Sequence, residues 1–111
     1  MKKLFKNYTY EFDKNEKKLL ITFCKQSLKQ MEGDQRFYAG VRSFSSIVSK
    51  LESDSESVKL TKEELSLLTY QLKENVKFLK QKMQKGWFLK KFMYKTMYKQ
   101  YQNLLDNHFN E

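Results

Sequence analysis

The feature that most constrains the fold is an apolar stripe within residues 60–85. Apolar side chains recur there at steps of three and four, at Leu65, Leu68, Leu72, Val76, Leu79 and Met83. This spacing places one apolar band along one face of a helix. Thr61 and Glu64 precede the band in the S/T-x-x-E pattern of a capping box, which closes backbone N–H groups at a helix start. A helix is therefore predicted over residues 62–85, and other segments must cover its apolar face.

The rest of the chain contains few residues that break helices. Proline is absent and glycine occurs only at Gly33, Gly40 and Gly86, whereas sheet proteins need turn residues every few positions. Three further helices are predicted at 14–32, 35–51 and 87–107, with Asp13 and Asp34 as N-caps of the first two. Their apolar faces are Leu20, Phe23 or Cys24, Leu28 and Met31 in the first helix, and Phe37, Val41, Phe44, Val48 and Leu51 in the second.

Short alternating segments precede the first and third helices. Residues 10–16 and 58–64 share the order apolar, charged, apolar, cap, lysine, polar, glutamate. One explanation is a pair of helical hairpins, each begun by an extended segment, with residues 8–12 and 57–60 paired as a small two-stranded ribbon. The other is that any helix start with a capping box and an apolar staple has this pattern.

The fourth helix is the hardest to place. Its apolar stripe covers about half the circumference and contains Trp87, Leu89, Met93, Tyr94, Met97, Tyr98, Tyr101, Leu104 and Leu105. Phe88 and Phe92 fall outside this stripe, among lysines. Gly86 follows Lys82 and Lys85 as a helix stop would, but the apolar phase continues across it. A break at Gly86 is favoured over one helix through residues 62–107, which would need a second chain to cover it.

The predicted fold is therefore all-α. We expect residues 1–111 to form a single domain, an antiparallel four-helix bundle with up-down-up-down order and the small ribbon. In size and architecture this is similar to small basic helical bundles among bacterial immunity, antitoxin and phage accessory proteins. No motif transfers residues from those proteins to this chain.

Groups that could carry catalysis do not converge. His108 is the only histidine and lies near the chain end, and Cys24 is the only cysteine and lies on an apolar helix face. No Cys-x-x-Cys, Glu-x-x-His or glycine-rich phosphate loop is present. We therefore expect no enzyme activity, no cofactor, no metal and no small-molecule substrate. The lone cysteine and the absence of a run of about 18 apolar residues favour a cytoplasmic protein.

Charge is concentrated in one part of the chain. The formal net charge is +9, and residues 73–99 contain nine lysines against the single acid Glu74. Aromatic residues lie between these lysines, which is also the ordinary pattern of a solvated face over an aromatic core. Phe88 and Phe92 do not fit this ordinary pattern, because they lie outside the predicted apolar stripe. The candidate partner-binding residues are Lys77, Lys85, Phe88, Lys91, Phe92, Lys95 and Lys99.

The residue composition limits which class of partner is expected. Only Arg36 and Arg42 among the 22 basic residues are arginines, and lysine lacks the planar fork that reads bases and grips phosphates. Exposed aromatic side chains are common anchors of protein interfaces. The sequence favours a non-enzymatic protein that binds a protein partner or a second copy of itself. The alternative is non-specific binding to nucleic acid or to an anionic membrane surface.

Overall fold

A computed structural model describes residues 8–85 and 88–109, except for the side chains of residues 88 and 89. Its elements, in chain order, are strand β1 (Tyr8–Tyr10), helix α1 (Lys14–Met31), a 3₁₀ turn (Gln35–Phe37), helix α2 (Tyr38–Glu52), strand β2 (Val58–Leu60), helix α3 (Lys62–Lys85), helix α4 (Phe88–Leu104) and a π-helical turn (Leu105–Phe109). The predicted all-α class, with four helices and a two-stranded ribbon, is confirmed. The chain divides into two compact units, Met1–Leu67 and Leu68–Glu111.

Helix α1 begins at the predicted capping box. The carboxylate of Asp13 accepts a hydrogen bond from the Glu16 backbone N–H at 2.7 Å, and the Glu16 carboxylate accepts one from the Asp13 N–H at 3.0 Å. These bonds satisfy donors that a helix start otherwise leaves unpaired. The helix ends before Gly33, whose φ of +81° suits a residue without a Cβ. Both ends of α1 are therefore fixed by local sequence.

Helices α1 and α2 form an antiparallel hairpin within the first unit. Close to the turn, the sulfur of Met31 lies 3.2 Å from the position that a Cβ on Gly40 would occupy. Farther from the turn, Lys25 forms a 3.0 Å salt bridge with Glu52. Gly40 weakens the helix intrinsically by about 1 kcal/mol, and the close approach of Met31 supplies a packing reason for it.

The second helical segment begins at the predicted residue 35, but its first three residues form a 3₁₀ turn and the α-helix starts after them. The carboxylate of Asp34 accepts a bond from the backbone N–H of Arg36 at 3.0 Å, two residues on, and caps a 3₁₀ turn instead of the α-helix. Helix α2 then starts at Tyr38, and Phe37, predicted on the apolar face, is 42% exposed. The buried face of α2 consists of Phe44, Ile47, Val48 and Leu51, of which Ile47 was not predicted.

The ribbon forms between the two predicted segments and is shorter than expected. Strands β1 and β2 pair antiparallel, with Tyr8 opposite Leu60 and Tyr10 opposite Val58. Val58 and Leu60 point into the core. The capping box of α3 follows directly, because Thr61 N–H donates to the Glu64 carboxylate at 2.9 Å and Glu64 N–H donates to the Thr61 hydroxyl at 3.1 Å. Strand and cap therefore fix the start of α3 together.

The predicted stripe of α3 is the buried side of that helix. The buried members, which all belong to the second unit, are Leu68, Leu72, Val76 and Leu79. Leu65 and Met83, at the two ends of the stripe, are half-buried. The break predicted at Gly86 falls outside the described residues, as does Trp87.

Among residues 90–109, burial is confined to the last turns. Tyr101 and Leu104 at the end of α4, with Leu105 and Phe109 in the π-helical turn, are buried. None of residues 90–100 is buried. The placement of Met93 on a buried face is therefore wrong, since it is 50% exposed. Helical phase alone placed it there, and phase does not tell whether a neighbour covers the face.

Leu72 offers a direct test of the α3 stripe, because its side chain has no exposed surface. Leu72→Ala should lower the free energy of unfolding by about 2 to 5 kcal/mol, from lost burial and the cavity left behind. Urea denaturation followed by far-UV circular dichroism measures the change. The matched control is Lys73→Ala on the exposed side of the same turn, which should stay within about 0.5 kcal/mol of the parent protein. Equal effects of the two substitutions would contradict burial of the stripe.

Candidate functional site

The predicted partner-binding residues form what we call the lysine-aromatic surface: Lys77, Lys85, Phe88, Lys91, Phe92, Lys95 and Lys99. All of its lysines are exposed, and Phe92 is 72% exposed. The side chain of Phe88 lies outside the described part of the structure. The large apolar side chain of Phe92 is therefore in contact with water. None of residues 90–100 of α4 is buried.

Helical spacing brings the α4 members of this surface together. Lys95 and Lys99 follow Phe92 by three and seven residues, so they lie on the same face of α4, about one and two turns toward its C-terminal end. Between them, the Thr96 hydroxyl donates to the backbone carbonyl of Phe92 at 3.1 Å, so this hydroxyl stays close to the backbone. Lys91 lies at the edge of that face. The result is an exposed aromatic ring on a face that also carries lysines.

The α3 members form a second group. Lys77 and Lys85 lie two turns apart, on the side of α3 opposite the buried stripe. Two exposed aromatic residues of the same side were not predicted as part of the site: Tyr70, 60% exposed, and Phe78, over whose ring the Lys82 ammonium lies at 5.4 Å. The sequence did contain a signal for both residues. They fall outside the apolar stripe, by the same reasoning that singled out Phe92.

The lysines of this region have no acidic partners in the described residues. The salt bridges there join Lys25 to Glu52, Arg36 to Asp34 and Lys50 to Glu64, and all of them lie within the first unit. From Lys73 to Lys99, no described lysine forms an ion pair within the chain. Their charges remain available to an external anion.

A different cluster surrounds the one buried charged residue found among the described residues, Glu64. Its carboxylate accepts hydrogen bonds from the Lys50 ammonium at 2.7 Å, from the Ser46 hydroxyl at 2.5 Å and from the Thr61 N–H at 2.9 Å. Burial by itself raises the pKa of Glu64, but these donors outweigh burial, and the net pKa lies below its usual value. A carboxylate held ionised by three internal donors serves packing rather than proton transfer.

The remaining candidates for chemistry are Cys24 and His108. Cys24 is a buried free thiol, and burial raises its pKa to about 12. It is therefore protonated at neutral pH, and the thiolate is the reactive form. His108 is half-buried, with its ring edge-on to Phe109 at 6.3 Å. In the described ranges, no three His, Cys, Asp or Glu side chains are placed to hold a metal ion together.

Comparisons with known proteins give no match to a family model, a curated protein or a solved structure. None of the described helices has the length and apolar character needed to cross a membrane. Function must therefore be inferred from the chemistry of the exposed surface and from the buried polar groups.

The Glu64 cluster predicts a specific dependence of stability on pH. A carboxyl whose folded pKa is lowered stabilises the fold at pH values above its unfolded pKa, about 4.3, and this contribution is lost as the pH falls through the lower folded pKa. At pH 7, Glu64→Gln should lower the unfolding free energy by about 1 to 3 kcal/mol. That difference from the parent protein should shrink at acid pH, as measured by urea denaturation at several pH values.

Glu63→Gln provides the matched control, because Glu63 is exposed on the same turn. It should change stability little at any pH. A Glu64→Gln effect that stays constant from neutral pH down to pH values below the folded pKa would exclude an ionised Glu64 as the source of the stabilisation.

Burial of Cys24 predicts a thiol that is protected in the native protein. Reaction with a colorimetric disulfide reagent should be slow without denaturant and should become fast, with one thiol per chain, once guanidinium chloride unfolds the protein. Rapid native-state labelling at neutral pH would show that the Cys24 thiol is accessible, contrary to its position in the core.

Proposed function

We propose that this protein is a non-enzymatic binding protein whose lysine-aromatic surface contacts another macromolecule, either a protein partner or a second copy of itself. The observation that carries the proposal is the 72% exposure of Phe92 on the same face as Lys95 and Lys99, which form no ion pair with an acid among the described residues. Covering one aromatic ring contributes roughly 1.5 to 3 kcal/mol. The same contact would bring acidic groups of the partner to the flanking lysines.

The partner best matched to this surface is a protein with an apolar pocket surrounded by acidic side chains. Aromatic residues in the centre of an interface supply much of its binding energy, whereas exposed charges set the encounter rate and the choice of partner. None of the residues of the surface is an arginine. The bidentate grip on phosphate that arginine gives is therefore missing, which weighs against a nucleic-acid reader.

Non-enzymatic action and a cytoplasmic setting belong to the same proposal. Its support is the state of two residues that could carry nucleophilic or acid-base chemistry. Cys24 is buried with a raised pKa, and Glu64 is held by three donors. A reducing compartment suits a chain whose single cysteine is a free thiol.

A second candidate function is binding to an anionic surface of nucleic acid or lipid. The observation in its favour is that none of residues 90–100 is buried, while four of them are lysines and Phe92 and Met93 are exposed. A helix with exposed aromatic and lysine side chains can lie on phosphates or head groups. Binding of this kind is dominated by counterion release and falls steeply with salt, unlike an interface anchored by aromatic residues.

Sedimentation equilibrium over a concentration and salt series tests self-association, and capture from a nuclease-treated extract tests binding to another protein. We expect Phe92→Ser to weaken association about tenfold or more, as loss of an interface anchor does. Raising salt from about 50 to about 500 mM should have a smaller effect. The matched control is Phe37→Ser, the same chemical change at an exposed residue of the first unit.

Two outcomes would reject the protein-partner proposal. In the first, Phe92→Ser and Phe37→Ser associate and capture exactly as the parent protein does. In the second, a labelled oligothymidylate or phosphatidylserine vesicles bind with a steep salt dependence and Lys95→Glu abolishes that binding, while no protein contact is found. The second result would establish the anionic-surface candidate.

A further inference from the structure

The lysine-aromatic surface is not complementary to itself. Residues 75–105 contain no acidic residue, so two copies of this surface facing each other would bring lysines against lysines. Like charges placed opposite each other in an interface cost free energy. Ten of the 13 acidic residues lie within residues 1–67, the first unit. A second copy of the chain would therefore receive this surface best with its first unit, in a contact between two different surfaces.

The first unit contains an open apolar groove at the turn that joins α1 to α2, which we call the corner groove. Its volume is about 570 Å³, and its apolar walls are Leu28 and Met31 of α1 and Tyr38 and Val41 of α2. Tyr38 is 67% exposed, and the other three side chains are half-buried. The volume lies within the range of roughly 300 to 1,000 Å³ that is common for ligand sites. The groove is therefore large enough to receive one aromatic side chain.

The charged side chains that line the corner groove are both acidic. They are Glu32 and Asp34, and no lysine or arginine lines the groove. Asp34 is paired with Arg36, whose Nη2 lies 2.7 Å from Oδ2 of Asp34. Glu32 is exposed, and no described lysine or arginine forms a salt bridge with it. Apolar walls beside a carboxylate complement an exposed aromatic ring beside a lysine, the chemistry of the α4 face that contains Phe92.

Another open groove of the first unit fits the same surface less well. It lies between the start of α1 and the loop before β2, and Lys14 and Lys17 line it together with carboxylates. The apolar side chain in its lining, Phe12, is only 7% exposed. Lysines of a second copy would meet lysines there, and the Phe92 ring would find little apolar surface. The corner groove is the better match in both respects.

We propose that the corner groove of one copy binds the lysine-aromatic surface of a second copy, with the Phe92 ring against the apolar walls and Lys95 paired with Glu32. This inference rests on the proposed function, since it names the partner of that surface. Each copy has one groove and one surface, so the contact is heterologous. Repeating such a contact produces either a closed ring or an open chain of copies.

Two single variants each remove one half of the contact. Phe92→Ser removes the ring, and Glu32→Lys places a like charge in the groove. Each variant alone should self-associate about tenfold or more weakly than the parent protein in sedimentation equilibrium, as loss of an interface anchor does. Mixed in equal amounts, the two variants should form a 1:1 complex, because the ring of one and the groove of the other are intact. Tyr38→Ser, which removes an apolar wall, should behave as Glu32→Lys does.

An exchange of charges tests the pair of Lys95 with Glu32. Lys95→Glu should weaken self-association, and the double variant with Lys95→Glu and Glu32→Lys should recover most of it, because the two charges are exchanged. The matched control combines Glu32→Lys with Lys18→Glu, at an exposed lysine of α1, and has the same net charge as the double variant. This control should recover nothing. Far-UV circular dichroism and thermal unfolding should show every variant folded as the parent protein is.

Three results would each overturn the proposal. The first is a parent protein that stays monomeric at about 1 mM, where a contact of even millimolar affinity populates the complex. The second is a mixture of Phe92→Ser and Glu32→Lys that forms no complex, and the third is a double variant no better than its control. A monomeric parent protein that still captures another protein through Phe92 would remove the second copy as partner and leave the proposed function intact.

Discussion

The hydrogen bonds to the buried carboxylate of Glu64 are the interactions on which the first unit depends. This carboxylate closes the capping box at Thr61 and also accepts bonds from Ser46 and Lys50, which lie 18 and 14 residues earlier on α2. A buried charge costs several kcal/mol unless donors surround it, and here they do. No buried side-chain nitrogen or oxygen of the described residues lacks a hydrogen-bond partner. The same group that starts α3 therefore joins its first turn to α2.

Local sequence signals predicted much of the fold because the contacts that start α1 and α3 join residues close together in the chain. The cap pairs at Asp13 and Thr61 act over three residues, so their geometry is contained in the sequence. The apolar stripe of α3 could also be predicted from residue spacing alone, and Leu68 and Leu72 are buried as expected. The bonds from Lys50 and Ser46 to Glu64 join distant segments, and a sequence pattern does not encode which distant donor reaches a carboxylate.

The errors have equally specific causes. Asp34 satisfies the pattern of an N-cap, but its carboxylate also bonds Arg36, and this choice moves the helix start to Tyr38 and leaves Phe37 exposed. For the site, helical spacing places Phe92 outside the apolar stripe of α4, and the same spacing places the exposed Phe78 outside the apolar stripe of α3. The sequence also gives no sign that the Arg42 guanidinium lies against the Tyr38 ring, because that contact depends on where helix α2 begins.

The charge of the chain limits what the lysine-aromatic surface can distinguish. Lysines on a long exposed helix are hydrated point charges with about 2 kcal/mol of rotamer entropy each, so they respond to the net charge of whatever approaches and only weakly to its shape. A chain with +9 charge would attract many acidic proteins through its lysines, so discrimination among them would have to come from the fit of the exposed Phe92 ring to an apolar pocket of the partner.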